Sequence, residues 1–408
     1  MNYSVPCIYG KTGNGKISVA VPGSKSITAR AFLLAALAQG ESVLYGAQFS
    51  DDCAVFLNCL KNLGIGCRID GDAVKIVGCG GVLNKKYAEI DVGSAGTAAR
   101  FLPAFLAFQD GEYKITCSNQ MKSRPVVPLI QTLKSLGARF TFTENENSFP
   151  FIIKGTKSPS DRVEVDVTQS SQFLSAMLIS AVCARKPFKI NPVGAHGRGY
   201  VDMTLDMMWS FGVNAETVDG GYSVYGNYCA KKYDIEPDVS AACYFYAMNK
   251  ILGTDISVRG LMRHSMQGDA KFIKLLENFN GGEIDMSGFS DQTLTLAAIA
   301  PYLEKPTKIC GVAHIRRQEC DRIRAICENL AAMRVRCDEF CDGVTIYPSA
   351  PRPAKINTFG DHRVAMSFAL TGLRSEGIVI ENAQVCSKTF AGYFEVLDEL
   401  CKKIVKTR

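Results

Sequence analysis

Three short stretches of the chain each place small or polar residues at the start of an apolar helix, with a cation close by. They are PGSKSITAR (Pro22 to Arg30), GSAGTAAR (Gly93 to Arg100) and DHRVAM (Asp361 to Met366). The first turn of a helix carries unpaired N–H groups and a partial positive charge, so it attracts anions. Lys25, Arg30, Arg100 and Arg363 add full charges to that field. Taken singly, each stretch has an ordinary explanation, since Ser and Asp cap helices widely and helix arginines are mostly solvated. Taken together, they predict a chain that holds several phosphates or carboxylates at once.

The elements that must position these residues recur along the sequence. Small-residue-rich apolar helices with polar starts begin at Ser26, Thr97, Ser171, Ser240, Asp291 and His362, at spacings of 71, 74, 69, 51 and 71 residues. Most lead at once into a strand-like run such as SVLYG, YKITC or TKICGV. Between them lie amphipathic helices with apolar residues at i, i+3 and i+4, among them CAVFLNCLKNLG and DRIRAICENLAAM, and then strand pairs such as CRIDGDAVKIVG. The pattern predicts a β-α-β-α-β-β unit repeated six times, arranged as two α/β domains of three units each. The boundary falls where the fourth unit begins. One domain is expected over residues 19–233, and another over 234–408 together with residues 1–18. The small-residue helices are apolar all round and so belong in domain interiors, with their N-termini emerging on one face.

With 408 residues, 47% hydrophobic and 21% charged, the chain has the composition of an ordinary globular protein with substantial cores. No apolar run approaches the roughly 18 residues of a membrane span, so no membrane association is expected. The opening MNYSVPCIYG lacks a basic start followed by an apolar core and so predicts no secretory signal. Sixteen cysteines without a C-x-x-C pair, many in apolar segments, read as reduced thiols in a cytoplasmic protein. The four histidines His196, His264, His314 and His362 show no metal-ligand spacing with cysteine. A net charge of +6 suits small anionic substrates and gives little support to nucleic-acid binding. Gly10 to Lys16 matches G-x-x-x-x-G-K, but Ile17 replaces the Ser or Thr that would bind Mg²⁺, and ISVAVPG alternates like a strand. It is read as a polar turn.

PGSKSITARAFLLAALAQG resembles the first substrate-binding motif of the 5-enolpyruvylshikimate-3-phosphate synthases. GSAGTAAR, MKSRP (from Met121), SSQFLSA (from Ser170), GYVDMT (from Gly199), RHSMQGD (from Arg263), QECDR (from Gln318), GDHRVAM and SKTF (from Ser387) follow in the family's order, over nearly the whole chain. The resemblance implies two inside-out α/β domains with the active site between them. It also implies transfer of the enolpyruvyl group of phosphoenolpyruvate to the 5-hydroxyl of shikimate 3-phosphate, a step of aromatic amino acid biosynthesis. No metal or organic cofactor is implied, and the family leans monomeric.

By this resemblance, Lys25, Ser26, Arg30, Ser170, Ser171 and Tyr200 hold shikimate 3-phosphate. Gly96, Arg124, Gln172, Arg322, Arg363 and Lys388 hold phosphoenolpyruvate, with Lys25 between the two. His314 and Gln318 occupy further substrate-contact positions. Asp291 takes the hydroxyl proton, and Glu319, alone or with Lys25 as a third catalytic residue, delivers and recovers the methylene proton. The residue types suit this work, because two phosphates and two carboxylates in one place need fixed cations. Neighbouring Arg316, Arg322 and Lys25 are expected to favour the ionised form of Glu319.

Several positions depart from the family. Ala29 and Ser94 replace Asn, Gly197 replaces a substrate-binding Ser, His314 replaces Asn and Phe101 replaces Pro. Gln318 stands where many members carry Lys, and an amide cannot deliver a proton. Three competing readings follow: an enolpyruvyl transferase for a UDP-sugar, a phosphometabolite-binding protein without catalysis, and a nucleic-acid protein. The first usually has Lys-Asn where this chain has Lys25-Ser26, and a reactive loop cysteine where it has only Cys117 nearby.

Overall fold

The computed structural model describes residues 1–11, 13, 15–194, 198–262 and 265–406. His196, Gly197, Arg263 and His264, singled out above, lie outside the described residues. The chain divides into two compact units: a first over Gly23–Glu236, and a second made of Met1–Pro22 and Pro237–Arg408. Among the described residues no helix is long and apolar enough to cross a membrane.

In the first unit each repeat builds a four-stranded sheet with one connectivity. The middle repeat shows it plainly. Tyr87–Asp91 pairs in parallel with Glu112–Thr116, which pairs antiparallel with Phe151–Lys154, and Arg139–Phe142 forms the edge. The parallel step requires a crossover, which the helix Ala98–Ala107 supplies. The hairpin follows the second, amphipathic helix, Val127–Leu136, which Gly137 ends in a left-handed conformation. Strand Glu112–Thr116 alternates exposed and buried residues, as a sheet covered on one face must. The third repeat has the order Arg162–Asp166, Phe188–Val193, Gly221–Val224 and Ala215–Val218.

The first repeat borrows a strand. Lys16–Val19, which leads toward the Lys25 motif, pairs in parallel with Asp255–Val258 and belongs to the second unit. The vacant edge position beside Gln39–Tyr45 is taken by Lys232–Asp234 from the far end of the first unit. The unit therefore begins at Gly23 and ends at Glu236, slightly displaced from the expected 19 and 233.

The small-residue helices lie inside. In Lys25–Leu37 every residue from Ile27 to Leu37 is buried, and in Ala98–Ala107 every residue is. Alanine-rich sequence favours the helix and lets backbones approach closely. Ser24 starts the first of these helices, its Oγ accepting from the Ile27 N–H.

The second unit repeats the plan with two shortenings. Its core helices Val239–Leu252, Thr293–Ile299 and His362–Arg374 pack against one another. The fifth repeat is complete, with the order Gly282–Asp285, Thr307–Cys310, Gly343–Ile346 and Cys337–Phe340. The fourth has only Lys16–Val19 and Asp255–Val258 among the described residues, without a closing hairpin. This explains its 51-residue spacing. In the sixth, Ala354–Ile356 pairs with Ile378–Ile380, and the single strand Tyr3–Ser4 from the N-terminus fills the place of the hairpin.

Candidate functional site

In the first unit, the helix Lys25–Leu37 presents Lys25, Ser26 and Arg30 on its first turns. Lys25 Nζ lies 2.6 Å from Asp52 Oδ2. Arg30 is only 2% exposed. Its Nε donates to Thr204 Oγ1 at 2.8 Å, Nη1 to the Ser26 carbonyl at 3.0 Å, and Nη2 to Ser175 Oγ and the Tyr200 carbonyl at 3.2 Å each. Its guanidinium carbon lies 5.9 Å from the centre of the Tyr200 ring and 5.5 Å from that of Phe101. Burial lowers its pKa to about 10. The structure thus joins Ser26, Arg30 and Tyr200, and adds Ser175 and Thr204. Ser175 lies within SSQFLSA and Thr204 closes GYVDMT, so both had a motif behind them.

Ser170 and Ser171 precede the core helix Gln172–Ser180, and Ser170 Oγ accepts from the Gln172 N–H at 3.2 Å. Gly96 faces Arg124: a Cβ there would stand 2.8 Å from Arg124 Nη1. That atom is the far end of a flexible side chain, so a Cβ at Gly96 would push the Arg124 guanidinium aside and would meet no backbone atom within that distance. Arg100, expected to add to the anion field, is instead 3% exposed and turned inward. It donates to the Gly96 carbonyl at 3.3 Å and the Pro125 carbonyl at 2.5 Å, tying together the segments that carry Gly96 and Arg124. Ser94 pairs with Ser118 at 2.7 Å, and Ser118 caps the short helix Asn119–Lys122. Burial pushes the Cys117 thiol up to about 11, so it is no ready nucleophile at neutral pH.

The second unit gathers the remaining candidates around one side chain. Arg322 opens the helix Arg322–Ala332, which Asp321 caps, and is 2% exposed. Its Nε donates to Asp361 Oδ2 at 2.8 Å, Nη1 to Asp291 Oδ1 at 3.0 Å and to Gln318 Oε1, and Nη2 to Glu319 Oε2 at 2.9 Å. Burial alone would lower the Arg322 pKa, but Asp361, Glu319 and Asp291 outweigh it and hold the guanidinium well above its ordinary value. The other oxygen of Asp291 accepts from Arg363 Nη2 at 2.9 Å. The other oxygen of Glu319 lies 3.5 Å from Lys388 Nζ. His314 Nε2 and Ser290 Oγ are 2.8 Å apart, which places the imidazole one residue from Asp291.

Asp291 does not cap its helix. It sits in the 3-10 turn Ser287–Gln292 that precedes Thr293–Ile299. Arg316 was expected beside Glu319; it pairs instead with Asp321 at 3.0 Å and Glu339 at 2.8 Å. Asp361 caps the helix His362–Arg374 through the Arg363 N–H at 2.8 Å while holding Arg322 with its other oxygen. Sequence reading missed Asp361 and Asp269 as members of this group, although both stand in quoted motifs. Asp269 is buried, accepts from Gln292 Nε2 at 2.8 Å and pairs with Ser240 Oγ. Burial and the nearby Asp291 push its pKa up to about 6 against the pull of Arg363.

Chemically, this unit offers two carboxylates, Asp291 and Glu319, bridged by one guanidinium, with three cations that present donors to oxyanions. That set suits proton transfer at both ends of a reaction between anions.

Comparisons with known proteins give the family and the fold. The model of the EPSP synthase (3-phosphoshikimate 1-carboxyvinyltransferase) family matches residues 11–281 and 277–397. A 3-phosphoshikimate 1-carboxyvinyltransferase of Trichormus variabilis is 38% identical over 402 residues, covering 92% of this chain and 94% of that protein. One from a Nostoc species is 39% identical, covering 92% and 95%. Among solved structures, an EPSP synthase of Acinetobacter baumannii superposes with a TM-score of 0.82 at 21% identity, covering 98% of this chain and 97% of that one. The enolpyruvyl transferase NikO of Streptomyces tendae shares the fold, with a TM-score of 0.74 at 14% identity over 98% and 96%. With a family match over nearly its full length and relatives above one-third identity along nine-tenths of it, the chain belongs to the EPSP synthase family.

Proposed function

We propose that this chain transfers the enolpyruvyl group of phosphoenolpyruvate to the 5-hydroxyl of shikimate 3-phosphate and releases phosphate. The observation that carries the reading is the Arg322 network, in which Asp291 and Glu319 share one guanidinium and each meets a second cation, Arg363 or Lys388. Addition requires three coordinated events. The hydroxyl oxygen bonds to C2 of the enolpyruvyl group, its proton leaves, and the methylene carbon gains a proton. Elimination then removes a proton from that carbon as phosphate departs. Asp291 is assigned the hydroxyl proton. Glu319 is assigned the proton given to carbon and later recovered, a duty the Gln318 amide cannot share.

The first-unit residues Lys25, Ser26, Arg30, Ser170, Ser171 and Tyr200 are assigned to shikimate 3-phosphate. Gly96, Arg124, Gln172, Arg322, Arg363 and Lys388 are assigned to phosphoenolpyruvate, and His314 and Gln318 to the substrate-facing rim of the network. Sixteen free thiols support a reducing, cytoplasmic setting. The test is phosphate release. It is expected with phosphoenolpyruvate and shikimate 3-phosphate together and not when UDP-N-acetylglucosamine replaces shikimate 3-phosphate. Release only with the sugar nucleotide, or with neither acceptor, overturns the assignment.

A further inference from the structure

A lysine carries a point charge on a flexible four-carbon stem, so nothing in its own structure aims it. In the first unit, Lys25 is aimed by a neighbour. Its Nζ lies 2.6 Å from Asp52 Oδ2, with the two side chains 21% and 9% exposed. Asp52 is the second residue of the helix Asp51–Asn62, where the first-turn N–H groups favour a carboxylate. The turn ahead of that helix is tied to the Lys25 helix through Gln48. The Gln48 N–H donates to Thr28 Oγ1 at 3.0 Å, and its Nε2 donates to the Gly23 carbonyl at 3.2 Å. Its Oε1 accepts from Ser50 Oγ at 2.8 Å, immediately before the helix. The placement of Asp52 against Lys25 is therefore fixed through the backbone on both sides. A carboxylate this buried is costly without a cation, so the pair is also self-enforcing.

We propose that Asp52 is a positioning residue for the reaction: it holds the Lys25 ammonium at one point, so that the substrate oxyanions meet it in a fixed place. The inference rests on the enolpyruvyl-transfer reading above. Attraction of an anion to a point charge tolerates displacement. Alignment of reacting atoms does not, and an error of about 1 Å costs on the order of 10²-fold in rate. Loss of the Asp52 charge therefore appears in kcat and much less in KM.

The experiment is steady-state phosphate release by Asp52→Asn and Asp52→Ser, each assayed alone and in a Lys25→Gln background. Two variants are used so that one failing to fold leaves the test intact, and Ser suits a helix start. The expected result is a kcat roughly 10- to 100-fold below the parent, with each KM within about threefold. Asp52→Glu is expected to recover part of the loss. In the Lys25→Gln background the same substitutions are expected to have no further effect on kcat, because the two side chains act as one unit. A purely structural Asp52 would lower the melting temperature and reduce kcat by one factor in both backgrounds. That result, or a kcat within about twofold of the parent, overturns the inference and leaves the reaction assignment standing. A parent protein that releases no phosphate from the substrate pair overturns both.

Discussion

Arg322 illustrates at the residue scale how a buried cation is kept charged and aimed. Asp361, fully buried, meets its Nε, while Asp291 and Glu319 take its outer nitrogens. Truncation would leave Asp361 buried without its arginine cation, a mechanism that costs about 3–5 kcal/mol. Arg322→Met is accordingly expected to destabilise the protein by roughly that amount in denaturant titration, and Arg322→Lys by less. Asp269 supplies a pH dependence. Its folded pKa, about 6, lies above the ordinary carboxylate value, so the folded state favours the protonated form. Its contribution is fully present below about pH 4 and is lost as pH rises through 6. Melting temperatures of the parent and Asp269→Asn, compared from pH 4 to 7, are expected to shift in favour of the variant as pH rises. A constant difference would show that Asp269 does not titrate in that window. The motifs made Asp291, Glu319, Arg322 and Arg363 legible because they lie in short ordered patterns. Their partners were less so. The bonds Arg322–Asp361 and Lys25–Asp52 join residues 39 and 27 positions apart, and no local spacing announces them.

Element by element, the periodicity of the small-residue helices carried most of the fold. Helices that are apolar all round must be interior, and they are, in both units. Close approach of the sheets to these helices depends on missing side chains. A Cβ on Gly78 would lie 2.1 Å from the Ala38 carbonyl oxygen, and one on Gly155 would lie 2.1 Å from that of Gln109. Both glycines stand where the fourth strand of a repeat passes the end of its core helix. Gly78→Ala is expected to cost about 1–3 kcal/mol in chemical denaturation, as overpacking against backbone does; an unchanged midpoint would show that the helix end yields freely. Two features were illegible from local pattern. The borrowing of Lys232–Asp234 by the first repeat is a pairing across nearly 200 residues. The helix read as starting at Asp291 begins only at Thr293, and Asp291 lies in the preceding 3-10 turn, where Phe289 has non-helical backbone.

On the scale of the whole molecule, composition constrained less but remains testable. A net charge of +6 and clustered cations predict that KM for both anionic substrates rises with added salt while kcat changes little. Salt-independent KM values would show that buried, already paired cations dominate. Single-turnover phosphate release by Glu319→Gln, run beside Asp291→Asn and the parent, tests the acid–base assignment most directly. Gln keeps the shape and the acceptor for Arg322 but cannot give or recover a proton at neutral pH. Glu319→Gln is expected to retain substrate binding and to react at least roughly 10²-fold more slowly than the parent. A Glu319→Gln protein that turns over like the parent would contradict the assignment and place the proton donor elsewhere, with His314 the next side chain to replace.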